Sequence, residues 1–177
     1  MRGSLGTLCC AESWQETFGI TSAVAVWESM AGRLLSDRGM LHFFSGSNYT
    51  GGIVQFIDQS QRSRCMPVPH GNGAMEDSDG SWYKGEWKYG SRCGFGIWVQ
   101  GSSGMKYEGE WKGDCFSGRG TFTIMGHAVI DGTFAKGKLS GHAVCRWEDG
   151  SWYEGGYTAG EKSGKGEGHL RLQVSHY

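Results

Sequence analysis

Residues 79–96 read Asp79-Gly-Ser-Trp-Tyr83-Lys-Gly85-Glu-Trp87-Lys-Tyr-Gly90-Ser-Arg-Cys-Gly94-Phe-Gly96. The stretch from Tyr83 to Lys88 has period two. Tyr83, Gly85 and Trp87 fall on one face of an extended strand, and Lys84, Glu86 and Lys88 on the other. The charged set predicts a solvated face. Gly90 to Gly94 reads as a turn, where glycine supplies positive φ, and a return strand follows. The unit is a β-hairpin. A ring from a neighbouring strand lying over an in-strand glycine gives those glycines a physical reason.

The unit recurs. A second copy is Tyr107-Glu-Gly109-Glu-Trp111-Lys-Gly113 with Gly118-Arg-Gly120. A third is Ile130-Asp-Gly132-Thr-Phe134-Ala-Lys-Gly137 with Gly141-His-Ala143. A fourth is Asp149-Gly-Ser-Trp-Tyr153-Glu-Gly155-Gly-Tyr157-Thr-Ala-Gly160 with Gly164-Lys-Gly166. The leading positions 83, 107, 130 and 153 are 24, 23 and 23 residues apart. The gap between the paired glycines (85 to 94, 109 to 118, 132 to 141, 155 to 164) is nine each time. Upstream the pattern decays. Gly71-Asn-Gly73 stands before Tyr83 as Gly118 and Gly120 stand before Ile130, so it ends an earlier copy. Tyr49-Thr-Gly51-Gly-Ile53 begins that copy, with an insertion between Val54 and His70. Asp37-Arg-Gly39 ends a still weaker one. A helix from about Thr21 to Leu35, with Val24, Trp27, Met30 and Leu34 on one face, competes with that first degenerate copy.

Composition agrees. Of 177 residues 32 are Gly and 2 are Pro, and 22 of the glycines lie between Gly80 and Gly168. Scarce Pro and the absence of a three-residue period exclude collagen. Eight Trp exclude a flexible linker. Gly at this density excludes a helical bundle. Net charge is −1, with 17 Lys+Arg against 18 Asp+Glu, which gives no electrostatic case for nucleic acid. No apolar run is long enough for a transmembrane helix. The N-terminus lacks a signal-peptide stretch, so the chain is expected to be intracellular and cytoplasmic, peripheral to a membrane or cytoskeletal structure.

The string Tyr-x-Gly-x-Trp-x-x-Gly-x-x-x-Gly-x-Gly, with Asp-Gly before the next Tyr, resembles the MORN repeat (membrane occupation and recognition nexus). The likeness covers residues 79–168 in register and 37–78 more weakly. The third copy departs most, at Ile130, Phe134 and Ala143. The resemblance implies an all-β fold, an elongated single-layer antiparallel sheet of stacked hairpins. Three segments are expected. Residues 1–36 form an N-terminal segment, disordered or partly helical. Residues 37–78 hold degenerate repeats with an insertion, and residues 79–177 the regular array.

Chemistry-bearing residues are sparse. His42, His70, His127, His142, His169 and His176 are dispersed, without metal-ligand or nucleophile spacing. Residues 155–163 resemble a phosphate loop, but the lysine is displaced and the setting is a hairpin. Acids such as Glu108 and Glu110 read as a solvated face. Of six cysteines none forms a C-x-x-C, so no metal or cofactor is expected and most should be reduced. Vicinal Cys9 and Cys10 are candidates for lipidation. Tyr83, Trp87, Tyr107, Trp111, Phe134, Tyr153 and Tyr157 form an aromatic stripe. It reads first as core and second as a groove for a partner helix or peptide. Trp82, Trp98 and Trp152 fall out of register with it and are candidate exposed contacts. Lys84, Lys88, Lys106 and Lys112 are interleaved with acids, so weak or no direct phospholipid binding is expected.

The expected function is a non-enzymatic scaffold that binds protein partners. The alternative is a detached regulatory module of an enzyme, since similar arrays precede phosphatidylinositol phosphate kinase and lysine methyltransferase domains. The last strand, with Leu170, Leu172 and Val174, is a candidate open edge for a homodimer or partner.

Overall fold

The computed structural model describes residues 33–57 and 66–170. Among them there is no helix. Eleven strands form one antiparallel sheet in which each strand neighbours the next in sequence. They are β1 (Arg33–His42), β2 (Asn48–Ile57), β3 (Val68–Glu76), β4 (Trp82–Lys88), β5 (Ser91–Val99) and β6 (Lys106–Lys112), then β7 (Cys115–Ile124), β8 (Ala128–Ala135), β9 (Lys138–Trp147), β10 (Trp152–Thr158) and β11 (Glu161–His169). At about 4.8 Å per strand the sheet extends for roughly 50 Å.

The four regular copies are the hairpins β4–β5, β6–β7, β8–β9 and β10–β11, and β2–β3 is the earlier copy. The weakest expected copy is present as its return strand. In β1, Gly39 pairs with Gly51, as Gly73 pairs with Gly85 further along. The competing helix fails at its last three residues, 33–35, which belong to β1. The rest of that helix, and Cys9 and Cys10, lie outside the described residues.

The hairpin turn is tighter than the sequence suggested. It is two residues long at Tyr89-Gly90, Gly113-Asp114, Lys136-Gly137 and Ala159-Gly160, and both members of each pair have positive φ. That is the geometry that matches the twist of the flanking strands. Gly94 is therefore not in the turn. It lies in a bulge, because Gly85 pairs with Gly96 while Glu86 pairs with Cys93, leaving Gly94 and Phe95 as extra residues on β5. The same irregularity recurs at Gly109/Glu110 and Gly155/Gly156.

One stitch repeats between hairpins. The second turn residue of each copy donates its amide to the second residue of the preceding return strand. These bonds are Gly90 N to Pro69 O, Asp114 N to Arg92 O, Gly137 N to Phe116 O and Gly160 N to Leu139 O, at 2.8–3.2 Å. At the other side of the sheet, the Asp-Gly-Ser turns are held by the Asp carboxylate. Asp79 accepts from both the amide and the hydroxyl of Ser81, which holds its carboxyl below the usual carboxylate range. Asp149 accepts from the Ser151 amide at 2.7 Å.

The core is a band along one face. Tyr49, Met75, Tyr83, Trp87, Tyr107, Trp111, Phe116, Phe122, Ile130, Phe134, Cys145 and Tyr157 are buried there. Lys84, Glu86 and Lys88 lie exposed on the opposite face, as their alternation requires. One expectation needs correction. Trp98 pairs directly with Tyr83 and with Tyr107, so it shares the core face and packs against it. The bulge adds two residues, so alternation runs through it unchanged and Trp98 shares the face of Gly94 and Gly96. Of the described cysteines, Cys93 and Cys145 are free thiols and Cys115 is disulfide-bonded.

Candidate functional site

The aromatic stripe consists of residues that hold each other. Trp87 meets Tyr49 and Tyr83 edge-on, with ring centroids 5.4 and 5.1 Å apart. Trp111 meets Tyr83 and Tyr107 at 5.0 and 5.4 Å. Phe134 continues the series against Tyr107 at 5.2 Å. Each large ring thus touches the leading tyrosine of its own copy or of the one before. Such edge-to-face pairs contribute about 0.5–1.5 kcal/mol beyond area burial. Tyr153 and Tyr157 form a separate edge-on pair at 5.7 Å. Tyr153 is half-buried, and the other six stripe residues are buried.

The polar atoms of the stripe are committed too. The Tyr83 hydroxyl donates to the Glu86 carbonyl at 3.0 Å, and that of Tyr107 to the Glu110 carbonyl at 2.9 Å. Tyr49 does the same toward Gly52. The indole N–H of Trp87 donates to the Gly73 carbonyl, and that of Trp111 to the Gly96 carbonyl at 3.1 Å. Each indole is therefore bonded to the preceding copy. Burial disfavours the phenolate, so the Tyr49 hydroxyl is pushed up to about 12 and those of Tyr83, Tyr107 and Tyr157 are also raised. None is poised for proton transfer near neutral pH.

In-strand glycines lie beneath the tyrosine rings. A Cβ at Gly96 would overlap the Tyr83 ring, and one at Gly120 the Tyr107 ring. The third copy shows the complementary solution. With Ile130 in place of Tyr, Ala143 takes the glycine position and is buried. In the fourth copy Tyr157 replaces Trp, and its hydroxyl lies 3.1 Å from the buried Cys145 sulfur.

Arg92 joins the first two copies. Its guanidinium sits 4.5 Å from the centre of the Trp111 ring and pairs with Asp114 at 3.0 Å.

The alternating glutamates have a role that sequence reading missed. The Glu86 carboxylate accepts the Phe95 amide at 2.8 Å, and the Glu110 carboxylate accepts the Arg119 amide at 2.8 Å. Each reaches across its own hairpin to close the bulge. The nine-residue spacing of the paired glycines carries that signal, because a Cβ at Gly94 or Gly118 would overlap the same carboxylate. Glu86 and Glu110 are thus exposed but structural.

The MORN repeat family model matches residues 83–104, 107–124, 131–152 and 153–167. The chain carries MORN repeats. The four matched stretches coincide with the four regular hairpins. No curated protein matches the chain.

The outer face of the MORN sheet also carries apolar residues. One ladder of directly paired residues runs Trp82, Val99, Lys106, Thr123, Val129, Arg146 and Trp152. Trp82, Val129 and Trp152 are 38%, 38% and 37% exposed. The two Trp are six strands apart, or roughly 29 Å. Of the edge candidates, Leu170 is 75% exposed just beyond β11, and Leu172 and Val174 lie outside the described residues. Among the described residues no group of three or more His, Cys, Asp or Glu could hold a metal ion. No helix of the described residues is long and apolar enough to cross a membrane.

Proposed function

We propose that the chain is a non-catalytic interaction module whose outer sheet face binds a protein partner. The observation that carries this reading is the division between the two faces. On the core face the phenols, indoles and rings are engaged with neighbouring copies. On the outer face Trp82 and Trp152 stay part-exposed in a ladder that also holds Val129. Indole side chains combine large apolar area with a polar tip and concentrate binding energy at protein interfaces. A rigid sheet that presents two of them at fixed separation suits an extended partner surface.

The module works inside the cell, held at its site by its partner and not by lipid, since basic and acidic residues alternate along the sheet.

The test combines affinity capture from cells with outer-face variants. Trp82→Ala with Trp152→Ala should keep the circular dichroism spectrum and thermal midpoint of the parent while losing its specific partners. Liposome flotation, with and without phosphoinositide, should leave the protein in the unbound fraction. Full partner capture by the double variant, or flotation with anionic vesicles, would overturn the reading.

A further inference from the structure

The bulges of the four copies are not chemically equal. In the first two, a carboxylate from the same hairpin seats on the bulge amide, Glu86 on Phe95 and Glu110 on Arg119, both at 2.8 Å. The third copy keeps the paired positions but not the acid. Thr133 stands where Glu86 and Glu110 stand, and His142 stands where Phe95 and Arg119 stand. Gly141 keeps its positive φ of 91°. A Cβ built there would meet only the Thr133 Cβ, at 3.8 Å, where Gly94 and Gly118 would meet a carboxylate. The space that an acid fills in two copies is open in the third.

That space is a groove. Arg119, Gly120, Thr121, Asp131, Gly132, Thr133 and His142 line an open volume of about 420 Å³ on the outer face. Its charges are unevenly engaged. Asp131 accepts from the Thr121 hydroxyl and lies 3.8 Å from Arg146, and the His142 ring is 3.4 Å from Glu154. The Arg119 guanidinium has no carboxylate partner among the described residues. Thr133 offers a hydroxyl donor with no hydrogen-bond partner among them.

We infer that this groove binds the carboxylate of an acidic peptide segment on a partner protein. The incoming Glu or Asp side chain takes the place that Glu110 takes one copy earlier. The bulge accepts it at the backbone, and Arg119 supplies the opposing charge. A charge-assisted bond of this kind is stronger than a neutral one, and a guanidinium fork adds direction. The inference rests on the interaction-module reading and specifies one contact within it.

The substitution Thr133→Glu supplies the chain's own carboxylate, by the precedent of Glu110, and should exclude the ligand. The probe is a fluorescein-labelled peptide with three consecutive glutamates, and its counterpart with three glutamines. The full chain should bind the glutamate peptide at least about tenfold more tightly than the glutamine peptide. In a nitrogen–proton correlation spectrum the His142 amide should move on titration. Thr133→Glu should move the same amide without peptide and weaken peptide binding about tenfold. Arg119→Gln should weaken it several-fold with an unchanged thermal midpoint. Equal binding of the two peptides would overturn the inference. So would undiminished binding by Thr133→Glu, or an unmoved His142 amide in that variant. Capture through Trp82 and Trp152 is measured separately, so it can succeed where this contact fails.

Discussion

At the residue scale, the third copy tests why the glycines are there. Tyr107 covers Gly120, whereas the equivalent positions of the third copy hold Ile130 and Ala143, both buried. A ring at position 130 needs bare backbone at position 143. Ile130→Tyr alone should destabilise the protein by about 1–3 kcal/mol through overpacking. Adding Ala143→Gly should recover most of that loss, because the two residues form one packing unit. Urea unfolding of both variants measures the coupling, and strictly additive effects would refute the packing argument. The tyrosines also set a pH limit. Their folded-state values are raised above the free-phenol value of 10.0, because burial opposes the phenolate. The folded state therefore holds the phenolic proton more tightly than the unfolded chain. This contribution is whole below pH 10 and falls as pH rises through about 12, the value at Tyr49. Thermal midpoints should be flat on the acid side of that window and drop within it. A midpoint that does not change across the window would refute the assignment.

At the element scale, the hairpin turns carry strain at known positions. Ala159 has a φ of 53°, in the left-handed region that costs an L-residue with a Cβ about 1–2 kcal/mol. Ala159→Gly should raise stability by about 1 kcal/mol, since glycine adopts that φ freely and the turn is exposed. A lower melting temperature for this variant would mean that the Ala159 methyl is used in a way its exposure does not suggest. The bulges predict the reverse. Glu110→Ala leaves the Arg119 amide without its carboxylate and should cost about 1–2 kcal/mol, while Glu108→Ala, two residues away, should cost less. These cases mark what sequence can and cannot carry. Period two and the constant nine-residue spacing were enough to give the hairpins, their order and the tyrosine-over-glycine contact. They also placed a degenerate return strand at Gly39. They did not give the face of Trp98 or the role of Glu86. The role of Glu86 depends on two extra residues in the return strand, which alternation along a single strand does not register. Trp98, in contrast, follows the alternation of its own strand from Gly94 and Gly96, and is misplaced when read from the wrong strand.

At the scale of the whole molecule, a sheet of nearest neighbours has no centre. Each hairpin touches only the copies beside it, so stability should vary along the sheet and not be shared equally. The interior copies have the densest support. Tyr107 is fully buried between Trp111, Phe116 and Phe134, and Arg92 links the first two copies through Asp114. Ile130 interrupts the series of rings, and beyond it Tyr153 and Tyr157 form a separate pair. The last strand, β11, is exposed at eight of its nine positions and has a neighbour on one side only among the described residues. Its Glu161, Lys162, Lys165 and Glu167 give the free edge charges of both signs, a composition that discourages indiscriminate edge pairing. Amide hydrogen exchange should therefore be slowest in β5–β7 and fastest in β11, with β8–β10 between them. The double substitution Ile130→Tyr with Ala143→Gly should extend slow exchange toward β10, because it completes the ring series across the third copy. Uniform protection from β4 to β11, in the parent and in that variant alike, would show that the sheet unfolds as one unit. Slower exchange confined to β8 and β9 in the variant would show that the rings stabilise their own hairpin and do not couple it to the next.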